Sequence, residues 1–259
     1  MIITVLGSCA NQTATREAVA LFVETNDRHD GLLVDAGPGI VAALLRVGRR
    51  ASDVNHIHLT HTHADHVSGL AYLIWHRHYE NLGKPSPAKD MTVYGQEDTI
   101  VLGRHLLEHA YGQNAFPFKI DWRVIRPDAK FPIGRIDVAV CATCHTTPSL
   151  GLVLVSEGAK VAYSGDTLPC EAFAALASGA DVLLHEGMWT EDFRGLADKA
   201  KHATAADAAK LASTAKAKQL ALVHIFPSLI GSEYKLLAEA SQHYSGPICI
   251  PGDGTVLIA

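Results

Sequence analysis

An eight-residue stretch, 59–66, constrains this chain more than any other part of its sequence. It reads LTHTHADH, so three histidines and one aspartate lie within six consecutive positions. The residues before it are apolar and β-branched, as at Ile57, and apolar residues follow it at helical spacing from Val67 to Ile74. This pattern predicts a strand that ends in a tight loop, from which a helix begins.

The loop brings together four candidate metal ligands, namely His61, His63, Asp65 and His66. Imidazole nitrogens combined with a carboxylate suit zinc and its first-row neighbours. A mixed set of ligands at alternating spacing suits two adjacent ions better than one. Because the four residues are packed so closely, a polar loop with incidental histidines is the weaker interpretation.

Three further residues complete a known pattern: His145, Asp166 within YSGDT, and His224 within LVHI. Together with the loop they resemble the signature of the metallo-β-lactamase superfamily. The resemblance implies a four-layer αββα sandwich, in which two mixed sheets are flanked by helices. It also implies two Zn²⁺ ions, with Mn²⁺ or Fe²⁺ as alternatives. In that pattern the first ion is held by His61, His63 and His145, the second by Asp65, His66 and His224, and Asp166 bridges the two.

Four segments, 161–170, 180–186, 202–209 and 217–224, resemble one branch of this superfamily, ribonuclease Z, which trims the 3′ ends of precursor tRNA. In that branch the glutamate that matches Glu186 hydrogen-bonds the histidine that matches His202. A paired carboxylate raises the pKa of an imidazolium and orients it as a general acid. The resemblance therefore predicts Glu186 and His202 as catalytic residues, and Asp65 joins them because it can orient the attacking hydroxide as well as bind metal.

The interval from His145 to Asp166 departs from the branch, because it has room only for a tight hairpin of two strands, 151–156 and 160–164. Bacterial ribonuclease Z carries a tRNA-gripping arm there. A net charge of −5 also argues against a surface built to bind a long polyanion. We therefore expect a small-molecule phosphodiester as substrate, with nucleic acid not favoured and tRNA 3′ processing the lesser alternative.

The rest of the chain predicts an α/β fold built in two successive halves. In the first half we expect strands at 2–6, 19–25, 31–35 and 91–94. We also expect a helix with Ile40, Val41, Leu44 and Leu45 on one face, a helix from His66 toward Tyr79 that ends before Pro85 and Pro87, and a helix over 97–111. The sequence of the second half predicts strands at 122–125, 136–141, 182–185, 220–224 and 255–258, besides the hairpin. It also predicts helices at 170–177 and 204–217 and a last helix before the strand 255–258.

Composition bounds the remaining expectations. The 259 residues are 48% hydrophobic and contain no linker-like segment, so residues 1–259 are expected to form a single domain. There is no basic amino-terminal region followed by an apolar stretch, and no apolar run spans a bilayer, so we expect a cytoplasmic protein that does not bind membranes. Five scattered cysteines do not indicate a disulfide framework. The relatives implied by the resemblance suggest a homodimer.

Several polar neighbours of the motifs have expected roles of their own. Thr60, Ser164 and Thr167 are candidates to hydrogen-bond the ligands and hold them in place. His58 alternates with His56 along the strand before the loop, and both are interpreted as structural residues with satisfied hydrogen bonds.

Two other functions remain open on the sequence alone. The same metal core could hydrolyse a lactone or a thioester, and such an enzyme would be expected to place a tyrosine near the oxyanion, for which Tyr111 and Tyr163 are candidates. A non-catalytic, metal-bound sensor or scaffold is the other alternative. The complete ligand set argues against it, because degenerate relatives usually lose ligands.

Overall fold

The computed structural model describes residues 1–84, 89–113 and 116–259. The elements of the first half are β1 (Ile2–Gly7), β2 (Ala20–Glu24), β3 (Gly31–Val34), α1 (Ile40–Arg46), β4 (His56–His58), α2 (Ala64–Val67), α3 (Leu70–Glu80), β5 (Met91–Gly95), α4 (Glu97–Tyr111) and β6 (Ile120–Val124). Those of the second half are β7 (Lys130–Ile133), β8 (Ile136–Ala142), β9 (Leu150–Ser156), β10 (Ala159–Tyr163), α5 (Glu171–Leu176), β11 (Val182–Glu186), α6 (Arg194–Ala200), α7 (Ala205–Thr214), β12 (Leu220–Val223), α8 (Tyr234–Ala240), β13 (Ile248–Cys249) and β14 (Val256–Ile258).

Two seven-stranded sheets form within the described residues, in the orders β14-β1-β2-β3-β4-β5-β6 and β13-β12-β11-β10-β9-β8-β7. In the first sheet the pairs from β14 to β3 are antiparallel and those from β3 to β6 are parallel. The second sheet repeats this sequence of pairings, antiparallel from β7 to β10 and parallel from β10 to β13. Both sheets are therefore mixed, as predicted.

Three apolar clusters show how the layers pack. One fills the space between the sheets with alternating strand residues such as Val5, Leu152 and Val223. A second joins the outer face of the first sheet to helices α1, α3 and α4, and a third joins the outer face of the second sheet to α5, α7 and α8. Because each sheet buries both of its faces, the structure has the predicted four layers, helix–sheet–sheet–helix.

The helix predicted from His66 toward Tyr79 is two helices, α2 and α3, separated at Ser68 and Gly69. The backbone at Gly69 is too close to a neighbouring loop for a side chain, since a Cβ there would lie 2.1 Å from the carbonyl oxygen of Gly37. Its N–H donates to the carbonyl of Ala36 at 2.9 Å. The chain changes direction at this close contact, so the prediction of one continuous helix was wrong. Pro85 and Pro87, expected to end the run, lie outside the described residues.

Three elements have no counterpart in the sequence-based prediction: β7, β13 and α6. Strand β7 contains Pro132 and lies at the edge of its sheet, where a missing N–H is tolerated. Strand β13 has only two residues and lies at the opposite edge. Short edge strands carry too little periodicity to be recognised from the sequence.

The tight hairpin expected between His145 and Asp166 is present as β9 and β10. Its turn consists of Glu157 and Gly158, with φ values of 53° and 81°, as in the two-residue turns that favour β-hairpins. In the described part of the chain, no helix is long and apolar enough to span a membrane.

Candidate metal centre

The residues predicted to bind metal all lie just beyond the carboxyl ends of strands. The loop 59–66 follows β4 in the first sheet, whereas His145, Asp166 and His224 follow β8, β10 and β12 in the second. The two sheets are linked at this point by a hydrogen bond from Leu150 N to Thr60 O of 3.2 Å. Side chains distant in sequence therefore converge on one volume between the edges of the two sheets.

Two of the groups of donors that form there contain the same residues as the two ligand sets that the resemblance implies. The ligand atoms in each group lie within 4.8 Å of one another, in the sets His61, His63, His145, Asp166 and Asp65, His66, Asp166, His224. Asp166 belongs to both sets. Its Oδ2 atom lies 3.6 Å from His61 Nε2, 3.4 Å from His66 Nε2, 3.8 Å from His145 Nε2 and 3.3 Å from His224 Nε2. This carboxylate is therefore shared by the two groups of donors.

Buried donor atoms without hydrogen-bond partners show that this site fits divalent metal. His61 Nε2, His66 Nε2 and both carboxylate oxygens of Asp166 are buried and unpaired among the described residues. Buried polar groups are almost always paired, because an unpaired one costs free energy. A divalent cation between these nitrogen and oxygen donors would satisfy all of them at once, and their types suit zinc and its neighbours.

The other ring nitrogens of three ligands are held by neighbouring groups. Thr60 Oγ1 lies 3.0 Å from His61 Nδ1, the Lys201 carbonyl accepts a hydrogen bond from His145 Nδ1 at 3.0 Å, and an Asp35 oxygen lies 2.8 Å from His66 Nδ1. Such contacts fix the orientation of a ligand histidine and direct its free nitrogen to the metal. In each of these three residues that free nitrogen is Nε2, which faces Asp166.

Electrostatic interactions in the centre favour the ionised form of the Asp166 carboxylate. Burial by itself raises the pKa of Asp166, but the imidazoles of His224, His66 and His61 overcome that effect and hold the pKa well below its ordinary value. Burial lowers the pKa of His61, so this ring is held neutral, with a lone pair free for a metal. An ionised carboxylate and a neutral imidazole are the forms that bind a metal. Burial lowers the pKa of His66, but the charges of Asp166 and Asp35 raise it well above its ordinary value, so this ring loses a proton when an ion binds.

Glu186 and His202 meet beside the metal-binding residues. The two carboxylate oxygens of Glu186 lie 3.1 and 3.0 Å from His202 Nδ1, and the ring of His202 is stacked on that of His224 with 5.2 Å between centroids. Burial lowers the pKa of His202, but the charge and hydrogen bond of Glu186 outweigh it and raise the pKa to about 9. His202 is therefore held as a protonated donor at the edge of the centre.

Backbone groups hold Glu186 itself. One of its oxygens accepts from Thr167 N, the other accepts from Ala203 N at 3.1 Å, and its own N–H donates to Ser164 Oγ at 2.9 Å. A buried carboxylate with this many donors cannot rotate freely. Thr60, Ser164 and Thr167 thus all contact ligands or the Glu186–His202 pair, as the sequence suggested.

Asp35 belongs to the site and was missed by the sequence analysis. Its side chain is fully buried and accepts hydrogen bonds from Thr60 N at 2.8 Å and Thr60 Oγ1 at 3.0 Å, besides contacting His66. It follows β3, the strand beside β4, and has a φ of 63°, a strained conformation for a residue with a side chain. The available signal was an aspartate directly after an apolar strand, next to a Gly-Pro-Gly turn.

Other polar residues do not lie where they were expected. His58, interpreted as hydrogen-bonded, is fully buried with neither ring nitrogen paired among the described residues, and burial lowers its pKa to about 4. Tyr163 is buried in the core between the sheets, and Tyr111 stacks on Trp75 at 6.1 Å. Burial, together with the charges of Asp35 and Asp166, raises the pKa of the Tyr163 hydroxyl well above its ordinary value.

Seven histidine and aspartate donors lie where the edges of two mixed sheets meet. This combination of fold and site is that of a metal-dependent hydrolase. Comparisons with known proteins agree with that class. Residues 31–225 match the family described as the β-lactamase superfamily domain. Ribonuclease Z of the archaeon Halorubrum lacusprofundi is 27% identical over 310 aligned positions, which cover 98% of this chain and 96% of that protein. The alignment is longer than this chain of 259 residues, so the relative carries insertions that this chain lacks.

Two solved structures have the same fold. The metallo-β-lactamase fold protein YhfI of Bacillus subtilis superposes with a TM-score of 0.83 at 21% identity, covering 99% of this chain and 98% of YhfI. The short form of human tRNase Z superposes with a TM-score of 0.80 at 22% identity, covering 100% and 99%. The family match over residues 31–225 places the chain in the metallo-β-lactamase superfamily, and ribonuclease Z is among the relatives to which it is similar.

Proposed function

We propose that this protein is a dinuclear zinc phosphodiesterase that acts on small phosphodiesters. The observation that carries the proposal is the Glu186–His202 pair beside the two groups of donors, with His202 Nδ1 3.0 Å from Glu186 and its ring 4.9 Å from that of His145. A metal-binding site alone fits many hydrolases. A protonated donor beside it suits a reaction in which a poor leaving group needs a proton.

The two ions would be held by the seven predicted ligands, His61, His63 and His145 for one, Asp65, His66 and His224 for the other, and Asp166 for both. Bound there, they would lower the pKa of a water molecule toward 7 and offset the charge that builds up on the phosphoryl oxygens. Mn²⁺ or Fe²⁺ would use the same nitrogen and oxygen donors.

Asp65 would orient the attacking water. Its Oδ2 atom lies 3.3 Å from His66 Nε2 and 3.4 Å from His224 Nε2, and its side chain is 21% exposed, against 1% for Asp166. A carboxylate that both belongs to the donor group and faces solvent can accept a hydrogen bond from an incoming water and hold its lone pair toward the phosphorus.

His202 would protonate the leaving oxygen. Because Nδ1 is occupied by Glu186, the proton that can be transferred is the one on Nε2. The alkoxide that departs from a phosphodiester is a strong base, so a positioned proton lowers the barrier to its departure. Glu186 keeps the imidazolium in the required orientation and keeps its pKa high.

The lack of an arm supports a small substrate. The segment between His145 and Asp166 is a hairpin with a two-residue turn, where the resemblance places a tRNA-binding arm. The chain also carries a net charge of −5, whereas binding a long polyanion depends on many cationic contacts.

Precursor tRNA 3′ processing is the second candidate, because the Halorubrum relative is a ribonuclease Z and aligns over 98% of this chain. The lactonase or thioesterase alternative is weaker. Of its two candidate tyrosines, Tyr163 is only 2% exposed within the core between the sheets, and Tyr111 packs in an aromatic cluster on α3 and α4.

One panel of assays tests the proposal. Purified protein loaded with Zn²⁺ or Mn²⁺ is assayed on bis(p-nitrophenyl) phosphate, a lactone and a thioester, and its metal content is measured by elemental analysis. We expect two ions per chain and turnover of the phosphodiester. Turnover of the lactone or the thioester alone would refute the phosphodiesterase assignment, and metal at trace levels after supplementation would refute the metal centre.

Two expectations about organisation remain proposals. We propose that residues 1–259 form one domain, since β14 near the carboxyl end pairs with β1 and so closes the first sheet. A single cooperative unfolding transition would support this, and two separated transitions would contradict it. The homodimer also stays a prediction, to be tested by light scattering of the purified protein.

A further inference from the structure

Lys201 lies directly before the proposed general acid and takes no part in the mechanism described above. It follows α6 and has a φ of 57°, which is strained for a residue that carries a Cβ. Its N–H donates to Asp198 O at 3.3 Å, and the N–H of His202 donates to Ala197 O at 2.9 Å. Helices commonly end in this way, but the residue in the left-handed conformation is usually glycine.

The main-chain carbonyl of Lys201 reaches a metal ligand. It lies 3.0 Å from His145 Nδ1. A carbonyl oxygen can only accept a hydrogen bond, so this contact requires the proton of the neutral ring to be on Nδ1 and leaves the lone pair on Nε2. His145 Nε2 points into the metal-binding residues, 3.2 Å from His63 Nδ1 and 3.8 Å from Asp166 Oδ2.

The same turn in the chain places the proposed acid. The residue after Lys201 is His202, whose Nδ1 lies 3.0 Å from Glu186, and the next N–H, that of Ala203, donates to Glu186 at 3.1 Å. Glu186 thus holds the chain just after Lys201, while Lys201 holds His145. The rings of His145 and His202 are 4.9 Å apart.

We propose that Lys201 is a positioning residue whose left-handed conformation aims its carbonyl at His145 and thereby fixes this metal ligand relative to His202. The inference rests on the proposed metal centre. The operative group is the main-chain carbonyl, and the exposed side chain, whose Nζ lies 3.4 Å from His145 O, is not required.

Two substitutions at Lys201 distinguish the contribution of its main-chain carbonyl from that of its side chain. Lys201→Gly removes the side chain but accepts a positive φ readily, so the carbonyl keeps its direction. Lys201→Val places a β-branched side chain where it is most strongly disfavoured, so the turn must shift and the carbonyl with it. Lys201→Ala is the milder variant if the valine form folds poorly.

Lys216 provides a matched control. It is also an exposed lysine, has a φ of 52°, and follows a helix, α7. It precedes β12, so it lies at the opposite end of that strand from His224. Lys216→Gly and Lys216→Val impose the same local changes in backbone freedom and strain away from the metal-binding residues.

The experiment measures Zn²⁺ affinity of the metal-free proteins by competition with a chromophoric chelator, together with Tm. Both valine variants should lose several degrees in Tm. Only Lys201→Val should weaken the binding of one ion, by about 10- to 100-fold, the usual effect of losing the group that holds a ligand histidine. Lys201→Gly should stay within about threefold of the wild type, and Lys201→Ala should fall between the two.

The tautomer of His145 gives an independent readout. Nitrogen NMR of ¹⁵N-histidine-labelled metal-free protein, with the signal assigned through a His145→Gln variant, should show the Nδ1-protonated form in the wild type and in Lys201→Gly, and a loss of that form in Lys201→Val.

The outcomes separate this inference from the proposed function. A wild type that binds two ions, with Lys201→Val binding both equally well, overturns the inference alone. Equal losses of affinity in Lys201→Gly and Lys201→Val also overturn it, because they assign the effect to the side chain. A wild type that binds no ion overturns both the inference and the metal centre.

Discussion

The carboxylate of Asp35 lies 2.8 Å from Nδ1 of His66, and both side chains are completely buried. The contact joins the ends of two parallel strands, β3 and β4. Asp35 also accepts hydrogen bonds from the N–H and the hydroxyl of Thr60, and that hydroxyl lies 3.0 Å from His61 Nδ1. One carboxylate is therefore connected to a ligand in each of the two groups of donors.

Substituting Asp35 should weaken metal binding while the two sheets stay folded. Asp35→Asn keeps the size of the side chain but replaces the charged acceptor that holds His66, so we expect the affinity for the ion bound by Asp65, His66 and His224 to fall by about 10- to 100-fold. Chelator competition measures this loss. Asp30→Asn, a surface substitution after β2, is the control and should bind metal as the wild type does.

Asp65→Asn should separate metal binding from turnover. The amide retains one oxygen donor, and the remaining six ligands are unchanged, so at least one ion should stay bound. The variant should nevertheless lower kcat by about 10²-fold or more, because an amide is a far weaker hydrogen-bond acceptor for the attacking water. Unchanged turnover under metal saturation would show that Asp65 is only a loop residue.

The leaving group distinguishes a general acid from a structural histidine. His202→Ala and Glu186→Ala should slow the hydrolysis of phosphodiesters with alkyl leaving groups far more than that of p-nitrophenyl diesters. Nitrophenolate departs without a proton, whereas an alkoxide does not. His76→Ala, which removes a half-buried histidine of α3 that contacts Glu80, should slow neither class of substrate.

Equal losses on the two classes of substrate would contradict this role. They would mean that the Glu186–His202 pair supports the shape of the site, for instance through the hydrogen bond from Ala203 N to Glu186, and does not supply a proton.

Four of the candidate ligands were predictable because their information is local: the spacing of His61, His63, Asp65 and His66 in the loop 59–66 alone predicts convergence. The other three, His145, Asp166 and His224, were predicted through the resemblance to the superfamily. Glu186 and His202 became predictable only through the resemblance to ribonuclease Z, since nothing in their separate surroundings brings them together. They meet because β11 ends where the turn after α6 begins.

What the sequence could not predict depends on the order of strands in space. Asp35 acts on His66 because β3 pairs with β4 in parallel, a pairing that no local pattern shows. The carboxyl-terminal strand β14 pairs with β1, and this gives the two sheets the same sequence of antiparallel and parallel pairs. The two halves thus repeat the same pairing geometry, which depends on the order of strands in space and not on a repeated sequence motif.

Removing metal should destabilise the protein. The metal-free centre keeps both oxygens of Asp166 and the Nε2 atoms of His61 and His66 buried without partners. Each ion that binds only the folded state contributes about 2.7 kcal/mol when free metal is at about 100 times Kd, and a protein of this size gains about 2–4 °C in Tm per kcal/mol. Scanning calorimetry with and without a chelator measures the shift.

A variant that lacks one ligand in each group of donors provides the comparison for this shift. The chelator should change the Tm of His61→Gln/His66→Gln much less than it changes that of the wild type. A wild type whose Tm is the same with and without the chelator would be inconsistent with ions bound in the centre.

The size of the substrate should distinguish this protein from an enzyme that processes tRNA. Binding of precursor tRNA needs many phosphate contacts over a long footprint, and each contact adds a salt-sensitive electrostatic contribution to affinity. This chain has the short β9–β10 hairpin and a net charge of −5. We therefore expect hydrolysis of small phosphodiesters, with cyclic nucleotides and simple aryl diesters as first substrates, and weak binding of precursor tRNA.

A direct comparison of kcat/KM on bis(p-nitrophenyl) phosphate, a cyclic nucleotide and a precursor tRNA, all at the same salt concentration, tests this expectation. The segment 79–89, part of which lies outside the described residues, is the region of the chain to test for a replacement tRNA contact. Because counterion release makes tRNA binding steeply dependent on salt, the tRNA reaction should fall off with added salt much faster than the small-substrate reactions. Efficient and accurate 3′ cleavage of the tRNA at moderate salt would overturn the assignment to small phosphodiesters while leaving the metal centre and the Glu186–His202 pair intact.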